Sequence, residues 1–325
     1  MKRVVVQAPM SGGPTTPALA AAVSEAGGLG FLAAGYRTAD QLRKDLAETR
    51  RLTDQPFGVN VFAHNSAPVD VSATAEAWGL DHAAARWSDD DYAAKLALLA
   101  EDPPAVVSFT FGLPDPLPDL PEVWVTVTTV EEARQAEHAD ALVVQGYEAG
   151  GHRATWVDTD DREDVGTLAL LALARAATDV PLVATGGIAD GAGIAAVLVA
   201  GASAAMLGTA FLLCPEAATV PSHRERLRTE ASTGLTRAFS GRLARGIDNA
   251  WQREHADAPL AYPEIHYLTA AMRAEARAAG DPERFNLWAG QAHSLARELP
   301  AGELVTVLLE EAREALELAR HRLDR

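Results

Sequence analysis

The sequence predicts a (β/α)8 barrel, a TIM-type α/β fold, carrying a small and mainly helical additional domain. Three observations predict it. Eight short, β-branched runs recur between residues 3 and 207, nearly continuous in apolar character, as parallel strands covered on both faces should be. Alanine-rich helical stretches separate most of them, and several returns to strand pass through Gly or Asp, as in "SEAGGLGFL", "EHADALVV" and "LVAGASAAML". Glycine closes a helix cheaply in the left-handed conformation, so these joins are repeated αβ punctuation. Finally, the residues able to do chemistry are spread over the ends of many strands. A doubly wound open sheet, the alternative, gathers them at one switch point.

Each element follows in order. "RVVVQ" (3–7) is strand one and leaves through Pro9, Met10 and two glycines; "TPALAAAVSEAG" (16–27) is the helix behind it. "GLGFL" (28–32) is strand two, and "FGVNVF" (57–62) is strand three, with the amide of Asn60 inside an apolar run. The stretch 62–100 reads as a long, partly helical insertion. "AVVSFTF" (105–111), "VWVTV" (123–127) and "ALVVQ" (141–145) are strands four to six, with the helix "TVEEARQAEHAD" (129–140) before the sixth. "GTLALLALARAATD" (166–179), "PLVAT" (181–185), "DGAGIAAVLVAG" (190–201) and "SAAML" (203–207) complete the alternation. From residue 221 to 285 the chain turns more polar, aromatic and proline-rich, which reads as a small helical domain beside the substrate pocket. The barrel, 1–220, is then completed by C-terminal helices in 286–325. Of these, 300–323 shows apolar residues at helical spacing and i,i+4 charge pairs.

Composition narrows the function. Of 325 residues, 48% are hydrophobic and 22% charged, and the formal net charge is −17. That charge argues against nucleic acid or an anionic membrane as partner. No stretch approaches the ~18 apolar residues of a membrane span, and the N-terminus enters a strand at once, so a cytoplasmic protein is expected. The single cysteine, Cys214, allows no internal disulfide. It follows strand eight, which speaks against a dehydrogenase using a loop cysteine as nucleophile. His64, His138, His266 and His293 lack i,i+4 companions, read as surface or packing residues, and predict no metal site. No Gly-x-Ser-x-Gly elbow and no dinucleotide or P-loop fingerprint opens a helix.

The strand ends point to a ligand. Gly186-Gly187 closes strand seven and Gly208-Thr209 closes strand eight. In barrels these two loops commonly cradle a phosphate with backbone N–H groups, where a Cβ would hold the oxygens away. Thr209 offers a hydroxyl in addition. Asn60 and Gln145 place amides at the same barrel mouth, as the N3–H and carbonyl edge of a flavin requires. One phosphate with that edge describes FMN. Strand six then exits through "QGYEAGGHR" (145–153), three glycines followed by His152.

"QAPM-GG", "FGVNVF", "SFTFGLP", "QGYEAGGH", "PLVATGGIADG" and "AMLGTAFL" occur here in the order found in the nitronate monooxygenase family, once called 2-nitropropane dioxygenases, which this chain resembles strongly over roughly 3–220 and more weakly to residue 305. The resemblance implies an FMN-containing barrel. It implies FMN contacts at Met10, Asn60, Gln145, Gly150, Gly187, Met206, Leu207, Gly208 and Thr209, and it puts His152 beside flavin and substrate, with the glycines making room for both. It further implies oxidation of alkyl nitronates, and of nitroalkanes if His152 serves as base, by O2 to a carbonyl compound and nitrite. His152 could instead be a cation or an orienting group. Tyr262 and Tyr267 are substrate-pocket candidates. The alternatives are an FMN-dependent enoyl-thioester reductase using NAD(P)H, and a non-catalytic flavin or phosphate binder. The expected partners are a small nitronate and O2, and a homodimer is the assembly left open.

Overall fold

The computed structural model describes residues 3–63, 66–160 and 163–325; His64 lies outside them. The strands in chain order are β1 (Val5–Gln7), β2 (Phe31–Ala33), β3 (Gly58–Phe62), β4 (Val106–Thr110), β5 (Val123–Val127), β6 (Ala141–Gln145), β7 (Gly151–His152), β8 (Leu182–Thr185), β9 (Ala204–Leu207), β10 (Thr233–Thr236) and β11 (Ala244–Ile247). Eight of them form one parallel sheet in the order β1-β9-β8-β6-β5-β4-β3-β2. The sheet closes on itself just ahead of β2. Gln7 donates its N–H to the Leu29 carbonyl at 2.9 Å, and Leu29 donates to Val5 at 3.0 Å. This is the expected (β/α)8 barrel, with every barrel strand inside or at the edge of the run that predicts it.

The barrel interior is solid. Val6, Phe31, Val106, Trp124, Val143 and Met206 fill it as one buried cluster, and the Phe31 and Trp124 rings meet at 5.5 Å between centroids. A ligand is thereby confined to the mouth, where the C-terminal ends of the strands and their loops lie. Outside, the helices pack on the strands' other faces, and the long helix Ala301–Leu323 lies against Gly191–Val199 and Pro17–Glu25. Among the described residues no helix is long and apolar enough to cross a membrane.

The stretch 221–285 holds the helices Pro221–Leu227, Ala250–Glu254, Glu264–Leu268 and Ala270–Ala279. It also holds β10 and β11, an antiparallel pair that the sequence does not announce. β11 continues onto β7, with Ala244 opposite His152 and Arg245 opposite Gly151. The insertion packs here as well: Val71 and Ala75 share a buried cluster with Ala261, Ile265 and Leu268. The mouth of the barrel is therefore roofed by the additional segments, and His152 is a rung of the roof's own sheet.

Candidate active site

A cavity of about 330 Å3 opens at the barrel mouth, within the roughly 300–1,000 Å3 typical of small-molecule sites. Met10, Asn60, Gln145, Gly150, His152, Gly186, Gly187, Met206, Gly208 and Thr209 all line it. Leu207 does not. It is buried in the barrel core, and its carbonyl accepts from Ala8 N at 2.8 Å. Tyr262 and Tyr267 lie outside the lining. Tyr262 is buried with its hydroxyl 3.2 Å from that of Tyr36, and the Tyr267 ring carries the Arg86 guanidinium at 4.2 Å.

At the end formed by the loops after β8 and β9, the chain leaves donors unused. The backbone N–H groups of Gly187, Gly208 and Thr209 meet no acceptor among the described residues. Thr209 Oγ1 accepts from Gly290 N at 3.0 Å, which leaves its hydroxyl proton to donate. Gly208 is the informative glycine. Its backbone is right-handed (φ −102°), and a Cβ there would touch only Ala8 and Met10, at 3.5 Å and beyond. Nothing in the fold requires glycine at that position, while an oxyanion held by backbone amides does. The residues present thus fit a phosphate.

The two amides differ in what they have left to offer. Asn60 Nδ2 donates to Ser108 Oγ and Thr110 Oγ1, both at 2.9 Å, and Oδ1 meets no partner among the described residues. Gln145 is largely committed to its own loop. Its Oε1 accepts from Arg153 at 3.0 Å and Ala154 N at 2.9 Å, and its Nε2 donates to the His152 carbonyl at 3.1 Å. Gln145 therefore shapes the exit from β6 and aims His152.

The glycines of that exit also serve the chain more than a ligand. A Cβ on Gly150 would lie 2.4 Å from Gly290 N, and Gly151 takes φ +73° to turn onto β11. The sequence reading that these glycines make room for cofactor and substrate is corrected at Gly150, because backbone already fills the space. Arg245 fixes the same turn from outside, with Nε on the Tyr147 carbonyl at 3.2 Å and its guanidinium 4.4 Å over the Tyr147 ring.

His152 ends this path inside a ring of aromatics. Phe111, Tyr262 and Trp288 approach its imidazole at 5.7, 5.9 and 5.7 Å between centroids. Nε2 lies 2.9 Å from Ser240 Oγ, which donates to the Arg242 carbonyl at 3.0 Å. With the serine proton so placed, Nε2 carries the imidazole hydrogen and Nδ1 keeps its lone pair. Burial first, then the charges of Arg242 and Arg273, push the imidazole down to about 3. It is neutral throughout the physiological range. This environment favours the neutral imidazole over the cation that the sequence also allows.

The model of the family described as nitronate monooxygenase matches residues 1–311. The chain belongs to the nitronate monooxygenase family. A nitronate monooxygenase of Paraburkholderia phytofirmans is 44% identical over 97% of this chain and 94% of its own. Among solved structures, a nitroalkane oxidase from Streptomyces ansochromogenes superposes with a TM-score of 0.91 at 47% identity, covering 98% of this chain and 97% of that one. FabK from Thermotoga maritima superposes with a TM-score of 0.77 at 28% identity, covering 99% and 96%. Membership makes the chain an oxidoreductase.

In this family member several site residues carry no signal in the sequence. Ser240, Arg242, Trp288 and Tyr36 reach His152 only through the fold. His266, expected at the surface or in packing, stacks on Tyr36 at 3.8 Å. Cys214 is buried, and burial pushes its thiol up to about 12, which removes it as a nucleophile. His223 also lines the cavity; burial, then the positive charge of Arg277, pushes it down from 6.5 to about 4. The unfolded chain takes up this proton below pH 6.5 and the folded chain does not until about 4, so stability falls as pH falls through that window. At 1.36 kcal/mol per pKa unit the loss is about 3 kcal/mol. Urea unfolding between pH 7 and 4 measures it, and His223→Leu should flatten the dependence; an equally steep slope in the variant would reassign the effect.

Proposed function

We propose that this chain oxidises alkyl nitronates with O2, to a carbonyl compound and nitrite, using noncovalent FMN. The observation that carries the reading is the pairing of unused backbone donors at Gly187, Gly208 and Thr209 with a neutral His152 in one cavity. The family and the nitroalkane oxidase likeness support the substrate class. The phosphate would be held by those amides and the Thr209 hydroxyl, and Asn60 Oδ1 would accept from the flavin ring. When bound, FMN supplies the electron acceptor and the partner for oxygen.

The chain's own residues do the rest. The aromatics around His152 exclude water, so that hydrogen bonds inside the cavity act in a low dielectric. Nδ1 of His152 accepts a carbon-bound proton when a neutral nitroalkane is bound, and the Nε2–H bond to Ser240 holds the ring in that tautomer. The low proton affinity of this imidazole weakens the drive for that transfer, which makes the preformed nitronate the better substrate.

The experiment is an absorbance spectrum followed by anaerobic mixing. The purified protein should be yellow and release FMN on heating. Propyl 1-nitronate should reduce the bound flavin far faster than NADH does. Rapid bleaching by NADH with none by nitronate would replace this reading with the enoyl-thioester reductase.

A further inference from the structure

Beside His152 lies a second cavity, of about 210 Å3, with Tyr36, His266, Arg273 and Arg277 in its wall. Tyr36 reaches it from the loop after β2. Its ring stacks on His266 at 3.8 Å, meets Phe62 edge-on at 5.4 Å and stands 6.5 Å from the His152 imidazole. Its hydroxyl accepts from Tyr262 at 3.2 Å. One side chain thus joins the barrel mouth to the roof helix Glu264–Leu268.

The backbone under that ring is strained. Arg37 donates its N–H to the Ala34 carbonyl at 3.1 Å, closing a turn whose third residue is Tyr36. Tyr36 takes φ +66°, the left-handed conformation that glycine or asparagine supplies in such turns and that a bulky side chain rarely adopts. Strain of this kind persists only where the surrounding structure over-determines it. Here the restraint comes from the insertion, 54 positions along the chain: Asp90 Oδ1 accepts the Tyr36 N–H at 2.8 Å. Asp90 is 8% exposed and is held in turn by Lys95, which is wholly buried with Nζ 2.7 Å from the other carboxylate oxygen. A buried ion pair is weak evidence for stability, since desolvation of both groups offsets their attraction. Burial raises Asp90 to about 6 against the pull of Lys95, and lowers Lys95. What the pair supplies is a carboxylate oxygen fixed in one place.

We propose that Asp90, anchored by Lys95, is a positioning residue that holds Tyr36 in its left-handed conformation and so fixes the wall of the site beside His152. The insertion thereby takes a share in substrate binding, although Asp90 and Lys95 line neither cavity. Without the Asp90 oxygen the turn is free to relax, and only a fraction of the molecules keeps the ring in place. A ligand packed against the ring then binds more weakly by that fraction, while saturating ligand restores the ordered state. The substrate that reads this effect comes from the nitronate reading; the hold of Asp90 on Tyr36 does not rest on it.

Two double variants isolate the acceptor. Asp90→Asn with Lys95→Met removes both charges and keeps an oxygen for the Tyr36 N–H; Asp90→Ala with Lys95→Met removes both charges and the oxygen. In FMN-loaded protein, KM for propyl 1-nitronate should stay near wild type in the first. In the second it should rise roughly 3- to 10-fold, the equivalent of one net hydrogen bond. The value of kcat per bound flavin should hold in both. Amide hydrogen exchange over residues 33–38, read by mass spectrometry without substrate, should quicken in the alanine variant alone. Tyr36→Gly, which the turn accommodates, should raise KM in the same way and serves if the alanine variant does not fold. Equal KM or equal exchange in the two double variants would overturn the proposal, and so would a wild-type KM in Tyr36→Gly. A fall in kcat or flavin content with KM unchanged would overturn it too, as the mark of a merely structural pair. Quickened exchange in the alanine variant of a protein whose wild type turns over no nitronate would overturn the substrate reading and keep the hold of Asp90 on Tyr36.

Discussion

Gly208→Leu is expected to give a folded, colourless protein. The backbone at Gly208 is right-handed, which a leucine adopts without strain, and its Cβ would meet Ala8 and Met10 at ordinary contact distance. The side chain beyond Cβ must enter the cavity that Gly208 lines. There it would hold a phosphate away from the N–H groups of Gly208 and Thr209. Each hydrogen bond to a charged group contributes about 1.5–3 kcal/mol, so losing two weakens FMN binding about 10²–10⁴-fold. The measurements are flavin content after purification, affinity on reconstitution and the melting temperature. Full FMN occupancy in a normally folded variant would show that the phosphate lies elsewhere. Gly187 cannot serve this purpose, because its φ of +71° makes any replacement strained with or without ligand.

The barrel was legible because its strands carry local signals: a short apolar run in each, and for most of them a helix between one strand and the next. "VWVTV" and "ALVVQ" coincide with β5 and β6 residue for residue. The roof was not legible. β7 is two residues long, β10 reads "TGLT" and β11 reads "ARGI", and none of these has the length or alternation that marks a strand. The pairing of β7 with β11 joins residues about ninety positions apart, which no local pattern encodes. The arginines of the second cavity were hidden for another reason. In "AAMRAEARAAG" two basic residues at i,i+4 look like the solvated face of a surface helix, and only the packing of that helix over Asn286 buries them. At the site itself, residue type was legible and orientation was not. Gln145 stands in the lining as expected, yet its amide oxygen faces Arg153 and Ala154.

His152→Asn should separate proton transfer from electron transfer. Asparagine keeps a polar side chain in the ring formed by Phe111, Tyr262 and Trp288 but has no nitrogen able to accept a proton. On a neutral nitroalkane the loss should reach about 10²–10⁴-fold, the usual cost of a missing acid–base group. On the preformed nitronate, which has no proton to lose, the fall should be smaller. FMN content should hold, because the cradle at Gly187, Gly208 and Thr209 belongs to other loops. The pH profile gives an independent check. With the imidazole held down to about 3 by burial and by Arg242 and Arg273, wild-type activity should show no acidic limb between pH 6 and 7 from this group. A limb at the ordinary histidine value of about 6.5 would show that the folded site leaves the imidazole free to titrate. Equal losses on nitroalkane and nitronate would remove the base and leave an orienting group held by Ser240. Wild-type rates on both substrates would mean that the ring stands apart from the chemistry.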